Sequence, residues 1–372
     1  MVLELEAATC ISSEIPPHGG DREQEARCLG LAPSDLLDAS ASLVPFAPPR
    51  SLRMHLRRAI EGAALRCYPN RRYGKLRQAL ASAHGIDPDM ILPGNGAAEL
   101  LTWAARDATA AGVSGLPQPG FGDYIRALNC WGGAWQALTL PLIRREAFPQ
   151  PFSLQPTTDV LWITNPHNPT GQLWSFASLE TLLTCHRLVI CDEAFLPLVP
   201  GGEIQSLLPL VSSHPNLIVI RSLTKLYALA GLRLGYAVAS PKRLHCWWAW
   251  RDPWPVNGLA AEAGAALLGN LAAHERWISR VQNWVHREGA WLKQNLDELG
   301  DPQPLPSAAN FLLLRSEHSL LKLRESLARH HILLRDCRSF NGLGPNWLRL
   351  SYQTRRDNIR ILRQLRMSLL SL

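Results

Sequence analysis

Residues 217–236 read LIVIRSLTKLYALAGLRLGY. An apolar run, Leu217–Ile220, opens the stretch and a second, from Leu234, closes it. Continuous rather than alternating apolar runs mark strands covered on both faces, as in a parallel sheet between helices. Ser222, Thr224, Lys225 and Arg233 lie between them, just past the end of the first strand. Open α/β sheets bind ligands at that end of their strands. A lone lysine there also reads as a solvated helix-end cation.

Working outward, strand-like runs recur at Ile91–Gly96, Val160–Thr164, Leu188–Cys191 and Leu234–Ala239. Helical spacing covers Leu52–Cys67, Leu76–His84, Ala97–Ala105 and Phe176–Thr184. Strands alternating with helices predict an α/β fold with a mostly parallel central sheet in a large domain. After Pro253-Trp254-Pro255 one long helical stretch, Leu259–Leu299, precedes strand candidates Asn310–Leu314 and Trp347–Tyr352 and a helix from Asp357. That pattern predicts a smaller α+β domain. The expected division is an N-terminal segment, 1–50, packing on the small domain, a large domain, 51–258, and a small domain, 259–372.

The 372 residues are 47% hydrophobic and 19% charged, which excludes a disordered chain. The net charge of +7 comes without a Lys/Arg block or an aromatic RNA-binding motif, so an anionic small molecule is expected as partner rather than nucleic acid. Eight cysteines form no C-x-x-C pair and read as reduced thiols, with no zinc spacing and no expected metal. The acidic start, MVLELEAATC, lacks a basic leader, and no apolar run has the length of a membrane span. A cytoplasmic protein is expected.

Polar motifs follow the predicted strands. Gly94-Asn95-Gly96 opens a helix whose free N–H groups suit an anion. Asn165-Pro166-His167-Asn168-Pro169-Thr170-Gly171 follows one strand, and Asp192-Glu193 follows the next. Neither G-x-x-x-x-G-K-[ST] nor G-x-G-x-x-G is present, which argues against a nucleotide fold.

In this order the motifs resemble the class I/II aminotransferase superfamily, the fold-type I pyridoxal-phosphate enzymes. The resemblance implies pyridoxal 5'-phosphate as cofactor and Lys225 as the amine that condenses with its aldehyde. It implies that Asp192 pairs with the ring nitrogen, Asn168 bonds the ring 3-oxygen and Phe121 stacks on the ring. The cofactor phosphate falls to Ala97, Ala98, Ser222, Thr224 and Arg233, with Tyr68 reaching it from the other subunit of a homodimer. Arg349 matches the arginine for a substrate carboxylate, and Arg335 a second substrate-anion arginine. His167 and Glu193 read as scaffold, and Tyr227 with Trp247-Trp248-Ala249-Trp250 as packing.

Further pieces narrow the resemblance. His18-Gly19-Gly20 stands before an Asp-capped helix and suits a second phosphate, that of the substrate. With Pro253–Asn257, Arg335–Phe340 and Phe195 in place of a tyrosine, it resembles the branch acting on phosphorylated amino acids. That branch holds a decarboxylase of cobalamin biosynthesis and, close by, the histidinol-phosphate aminotransferases; a non-catalytic cofactor-binding role is a further alternative. The chain departs from the branch at Ser42 and Val44, where asparagines are usual, at Ala47 in place of glycine, and at Gly120 in place of threonine. Those departures leave the exact substrate open.

Overall fold

A computed structural model describes residues 18–142 and 147–371. Two sheets organise them. The larger has seven strands in the order β2-β8-β7-β6-β5-β3-β4. These are β2 (Ile91–Asn95), β3 (Ser114–Gln118), β4 (Trp135–Thr139), β5 (Val160–Thr164), β6 (Leu188–Asp192), β7 (Leu217–Ser222) and β8 (Leu234–Val238). All neighbouring pairs are parallel except those of β8, which runs antiparallel to β2 and β7. Every residue of β5, β6 and β7 is buried, as their apolar runs require of strands covered on both faces, and Thr164, Asp192, Arg221 and Ser222 are the polar residues at their carboxyl ends.

The smaller sheet has the order β1-β11-β12-β10-β9. Its strands are β1 (Leu37–Ala39), β9 (Gln303–Pro304), β10 (Phe311–Arg315), β11 (Ile332–Asp336) and β12 (Trp347–Ser351). β1 comes from the N-terminal segment and pairs parallel with β11, Leu37 opposite Ile332. The helix Arg22–Leu29 follows it down, burying Ala26 with Leu36, Ala328 and Leu333.

Two expected helices are differently bounded. The first stops at Glu61, before Gly62, instead of running to Cys67. The stretch 259–299 is two helices, Gly258–Leu268 and Leu271–Asp297, broken at Gly269-Asn270. The Asn270 side chain accepts the Ala273 N–H and so starts a new helix rather than continuing the old one. The cysteine expectation also needs correction: Cys67, Cys130, Cys185, Cys191, Cys246 and Cys337 are free, but Cys28 is disulfide-bonded. Among the described residues no helix is long and apolar enough to cross a membrane.

Candidate active site

The carboxyl ends of β5, β6 and β7 open on a cleft of about 530 Å³, lined there by Thr164, Asp192 and Ser222. Ser222 ends β7, and its Oγ accepts the Thr224 N–H at 3.2 Å, capping the single-turn helix Leu223–Tyr227. That turn delivers Lys225 into the cleft. The residue keeps some exposure along the open side, while its amine end lies inside. Burial, aided by Arg349 and Arg233 and opposed by Asp192, lowers its ammonium to about 8.

Asp192 ends β6 and is 6% exposed. Its Oδ1 accepts the Ala194 N–H at 2.9 Å and its Oδ2 accepts the Tyr124 hydroxyl at 2.9 Å. Burial raises its carboxyl, against the pull of those two donors and of Lys225. Tyr124 was not anticipated from sequence. Its hydroxyl also meets Thr164 Oγ1 at 2.7 Å, and its ring packs edge-on against Phe121 at 5.5 Å. The available signal was only its nearness to Phe121, three residues earlier, in the first turn of the helix Asp123–Asn129.

At one end of the cleft Ala97 and Ala98 begin the helix Gly96–Ala111, whose first N–H groups have no intrahelical partner. Gly96 has φ +76°, and a Cβ there would stand 2.5 Å from an Arg233 guanidinium nitrogen. Only glycine lets the backbone and Arg233 approach so closely. Ser222, Thr224 and Arg233 complete this lining.

At the other end β12 presents Arg349 and β11 presents Arg335. Arg349 donates to Asn168 Oδ1 and, at 3.2 Å, to the Ser40 carbonyl, while its buried Nε has no partner among the described residues. Burial lowers this guanidinium to about 10. A buried cation with an unsatisfied N–H is a site for an anion. Arg335, also lowered by burial, donates to Ser339 Oγ and lies over the Phe340 ring at 5.4 Å.

His18, Gly19 and Gly20 reach the same cleft. The His18 ring lies 5.7 Å from Phe121, and the Gly20 N–H donates to Ser40 Oγ at 3.0 Å. A Cβ on Gly19 would stand 2.4 Å from the Ser40 carbonyl oxygen, so this loop needs glycine to close on β1 and the residues after it. Burial lowers the His18 imidazole.

The sequence departures have physical counterparts. Ser42, which lines the cleft, meets the buried Ser351 behind it, Oγ to Oγ at 2.7 Å. Val44 is buried in the core and Ala47 is exposed. A Cβ on Gly120 would stand 2.3 Å from the Pro117 carbonyl, which excludes threonine from this backbone. Phe195 places its ring 5.7 Å from Lys225 Nζ, with no hydroxyl. His167 is buried, bonded to Thr170 Oγ1 at 2.8 Å and lowered to about 3, while Glu193 takes Arg221, Ser206 and the Leu207 N–H. Both sit outside the cleft lining. Tyr68 does not join its own chain's cleft; it is 78% exposed and stacks on Trp254 at 4.3 Å.

The family profile described as aminotransferase class I and II matches residues 27–365. A threonine-phosphate decarboxylase from Salmonella typhimurium is 34% identical over 365 residues, 94% of this chain and 95% of that protein. The solved L-threonine-O-3-phosphate decarboxylase from Porphyromonas gingivalis superimposes with a TM-score of 0.76 at 25% identity, covering 88% of this chain and 98% of that one. The histidinol-phosphate aminotransferase from Sinorhizobium meliloti, solved in complex with pyridoxal-5'-phosphate, reaches 0.79 at 21% identity, covering 97% and 98%, a likeness of fold. The chain belongs to the class I and II aminotransferase family.

Proposed function

We propose that the protein is a pyridoxal 5'-phosphate-dependent decarboxylase of L-threonine O-3-phosphate, forming (R)-1-amino-2-propanol O-2-phosphate and carbon dioxide in the cytoplasm, within cobalamin biosynthesis. The observation that carries this reading is a single cleft with an anion lining at each end and a lysine–carboxylate pair between them. The donor set suits the cofactor: an amine lowered to about 8, a buried carboxylate with two hydrogen-bond donors, and a helix start where a Cβ would collide with Arg233. Its relative from Salmonella typhimurium bears the decarboxylase name.

When bound, pyridoxal 5'-phosphate supplies an aldehyde for an amine and a protonated ring that accepts an electron pair. In this reading Lys225 Nζ would be the amine that holds the cofactor, its lowered ammonium leaving it free to do so. The Asp192 carboxylate holds the proton on the ring nitrogen, and Tyr124 fixes that carboxylate. Asn168 and Phe121 would hold the ring, and Ala97, Ala98, Ser222, Thr224 and Arg233 would hold the cofactor phosphate. Gly19, Gly20, His18 and Arg335 grip the substrate phosphate, and Arg349 orients the carboxylate. Two anchors on one small substrate, Arg335 with the glycine loop at one end and Arg349 at the other, would fix rotation about its Cα–N bond and so decide which Cα bond is presented for cleavage. Orientation of this kind contributes several kcal/mol. After carbon dioxide leaves, Lys225 Nζ returns a proton to Cα.

A homodimer belongs to the proposal. Tyr68 is 78% exposed and Leu65, three residues before it, is 62% exposed, two large apolar side chains left to solvent on the segment that leads out of the helix Arg50–Glu61. A second copy would cover it and receive Tyr68 at its cofactor phosphate. The test is incubation of the holoprotein with L-threonine O-3-phosphate. Carbon dioxide and aminopropanol phosphate are expected without an amino acceptor. Glutamate formed from histidinol phosphate and 2-oxoglutarate instead would establish an aminotransferase.

A further inference from the structure

A second cavity, of about 570 Å³, shares no lining residue with the cleft. It lies between the helices Arg50–Glu61, Gly258–Leu268 and Leu271–Asp297. Its size is that of a small-molecule site. Three guanidiniums line it: Arg58, Arg276 and Arg280. None of the three pairs with a carboxylate among the described residues. Arg58 and Arg276 are exposed at the rim. Arg280 lies over Phe46 at 4.5 Å and Trp277 at 5.3 Å. The floor is aromatic, with Tyr227 stacked on Trp277 at 5.7 Å. Like charges lining a concave wall concentrate anions, and the aromatic floor accepts an apolar body.

This floor is also the support of the catalytic turn. The Tyr227 hydroxyl shares a hydrogen bond with His274 Nδ1, and Trp277 Nε1 donates to the Leu226 carbonyl at 2.8 Å. Tyr227 and Leu226 belong to the five-residue helix that carries Lys225. His274, Trp277 and Tyr227 all line the second cavity, so an occupant touches both anchors of that helix.

We propose that this cavity is a second ligand site, for a phosphate monoester with a compact apolar body, and that its occupancy shifts the turn bearing Lys225. The site does not depend on which reaction the cleft performs.

Calorimetric titration of the holoprotein with phenyl phosphate tests it, because no turnover is required and failure of the decarboxylase reading leaves the result intact. Two classes of site are expected. One disappears in Arg335→Ala. The other weakens about tenfold in each of Arg58→Ala and Arg276→Ala, the scale of one charge-assisted contact. Both are exposed side chains outside the catalytic machinery, so either variant alone suffices if the other misfolds. Inorganic phosphate, lacking the apolar body, binds this second class at least about tenfold more weakly. Filling the second class shifts the visible absorbance of the Lys225-bound cofactor, and the shift needs about tenfold more phenyl phosphate in Arg58→Ala and in Arg276→Ala. A single class removed by Arg335→Ala overturns the proposal. So does a second class indifferent to Arg58 and Arg276, or one whose filling leaves the absorbance unmoved.

Discussion

Lys225 is a cation placed where a cation is disfavoured, and its titration follows from that placement. Its ammonium falls from 10.5 to about 8 on folding. Between those values the unfolded chain holds the proton that the folded chain has released, so stability rises with pH across that window. Below about 8 the penalty is fully present. Denaturation of cofactor-free protein should therefore show a stability difference between Lys225→Met and the parent that shrinks as pH climbs from about 8 to 10.5. Parallel pH profiles would refute the burial argument. Tyr124→Phe removes one of the two hydrogen bonds to Asp192 and leaves Oδ2 without that donor. The expected result is a loss of roughly 1–3 kcal/mol of stability and weaker cofactor retention, read by thermal melting and by titration of apoprotein. Sequence revealed Lys225 and Asp192 because their motifs follow apolar strands in the order that carries the family resemblance. It did not reveal Tyr124, since an aromatic within a helix reads the same whether its hydroxyl is idle or bonded.

At the scale of elements, the glycine loop before the helix Arg22–Leu29 is held by backbone proximity rather than by side chains. Gly19→Ala would push a Cβ to 2.4 Å from the Ser40 carbonyl, and the loop would have to move. KM for the phosphorylated substrate should rise about tenfold while the cofactor spectrum stays unchanged, the signature of lost phosphate grip. An unchanged KM would detach this loop from the substrate. Strands β5 to β8 were legible because their sequences are mainly apolar without polar alternation, and every residue in them is buried. β3 was not: Ser114-Gly115-Leu116-Pro117-Gln118 holds one apolar β-former beside glycine and proline, yet lies fully buried in the sheet. There tertiary packing overrides propensity, with Leu138 and Thr158 crowding the space a side chain on Gly115 would need. β1 and β11 escaped notice for another reason. The pairing joins residues nearly three hundred positions apart, and no local periodicity records such a partner.

For the whole molecule, the decisive arrangement is Tyr68 outside its own cleft. If it completes the site of a second copy, two inactive chains should complement one another. Mixing Lys225→Ala with Tyr68→Phe protein, after subunit exchange, creates dimers in which one site has both residues intact. Recovery of activity above either variant alone is expected, reaching about a quarter of the parent's at equal mixing, with sedimentation reporting a dimer throughout. Sites that never recover would place Tyr68 in its own chain's packing. Ser42, backed by Ser351, and Phe195 also line that cleft. The central claim concerns one amine. Borohydride reduction of the holoprotein, followed by mass mapping of its peptides, should find the pyridoxyl adduct on Lys225. An adduct on Lys75, Lys242, Lys293 or Lys322, or none on any lysine, would contradict the account.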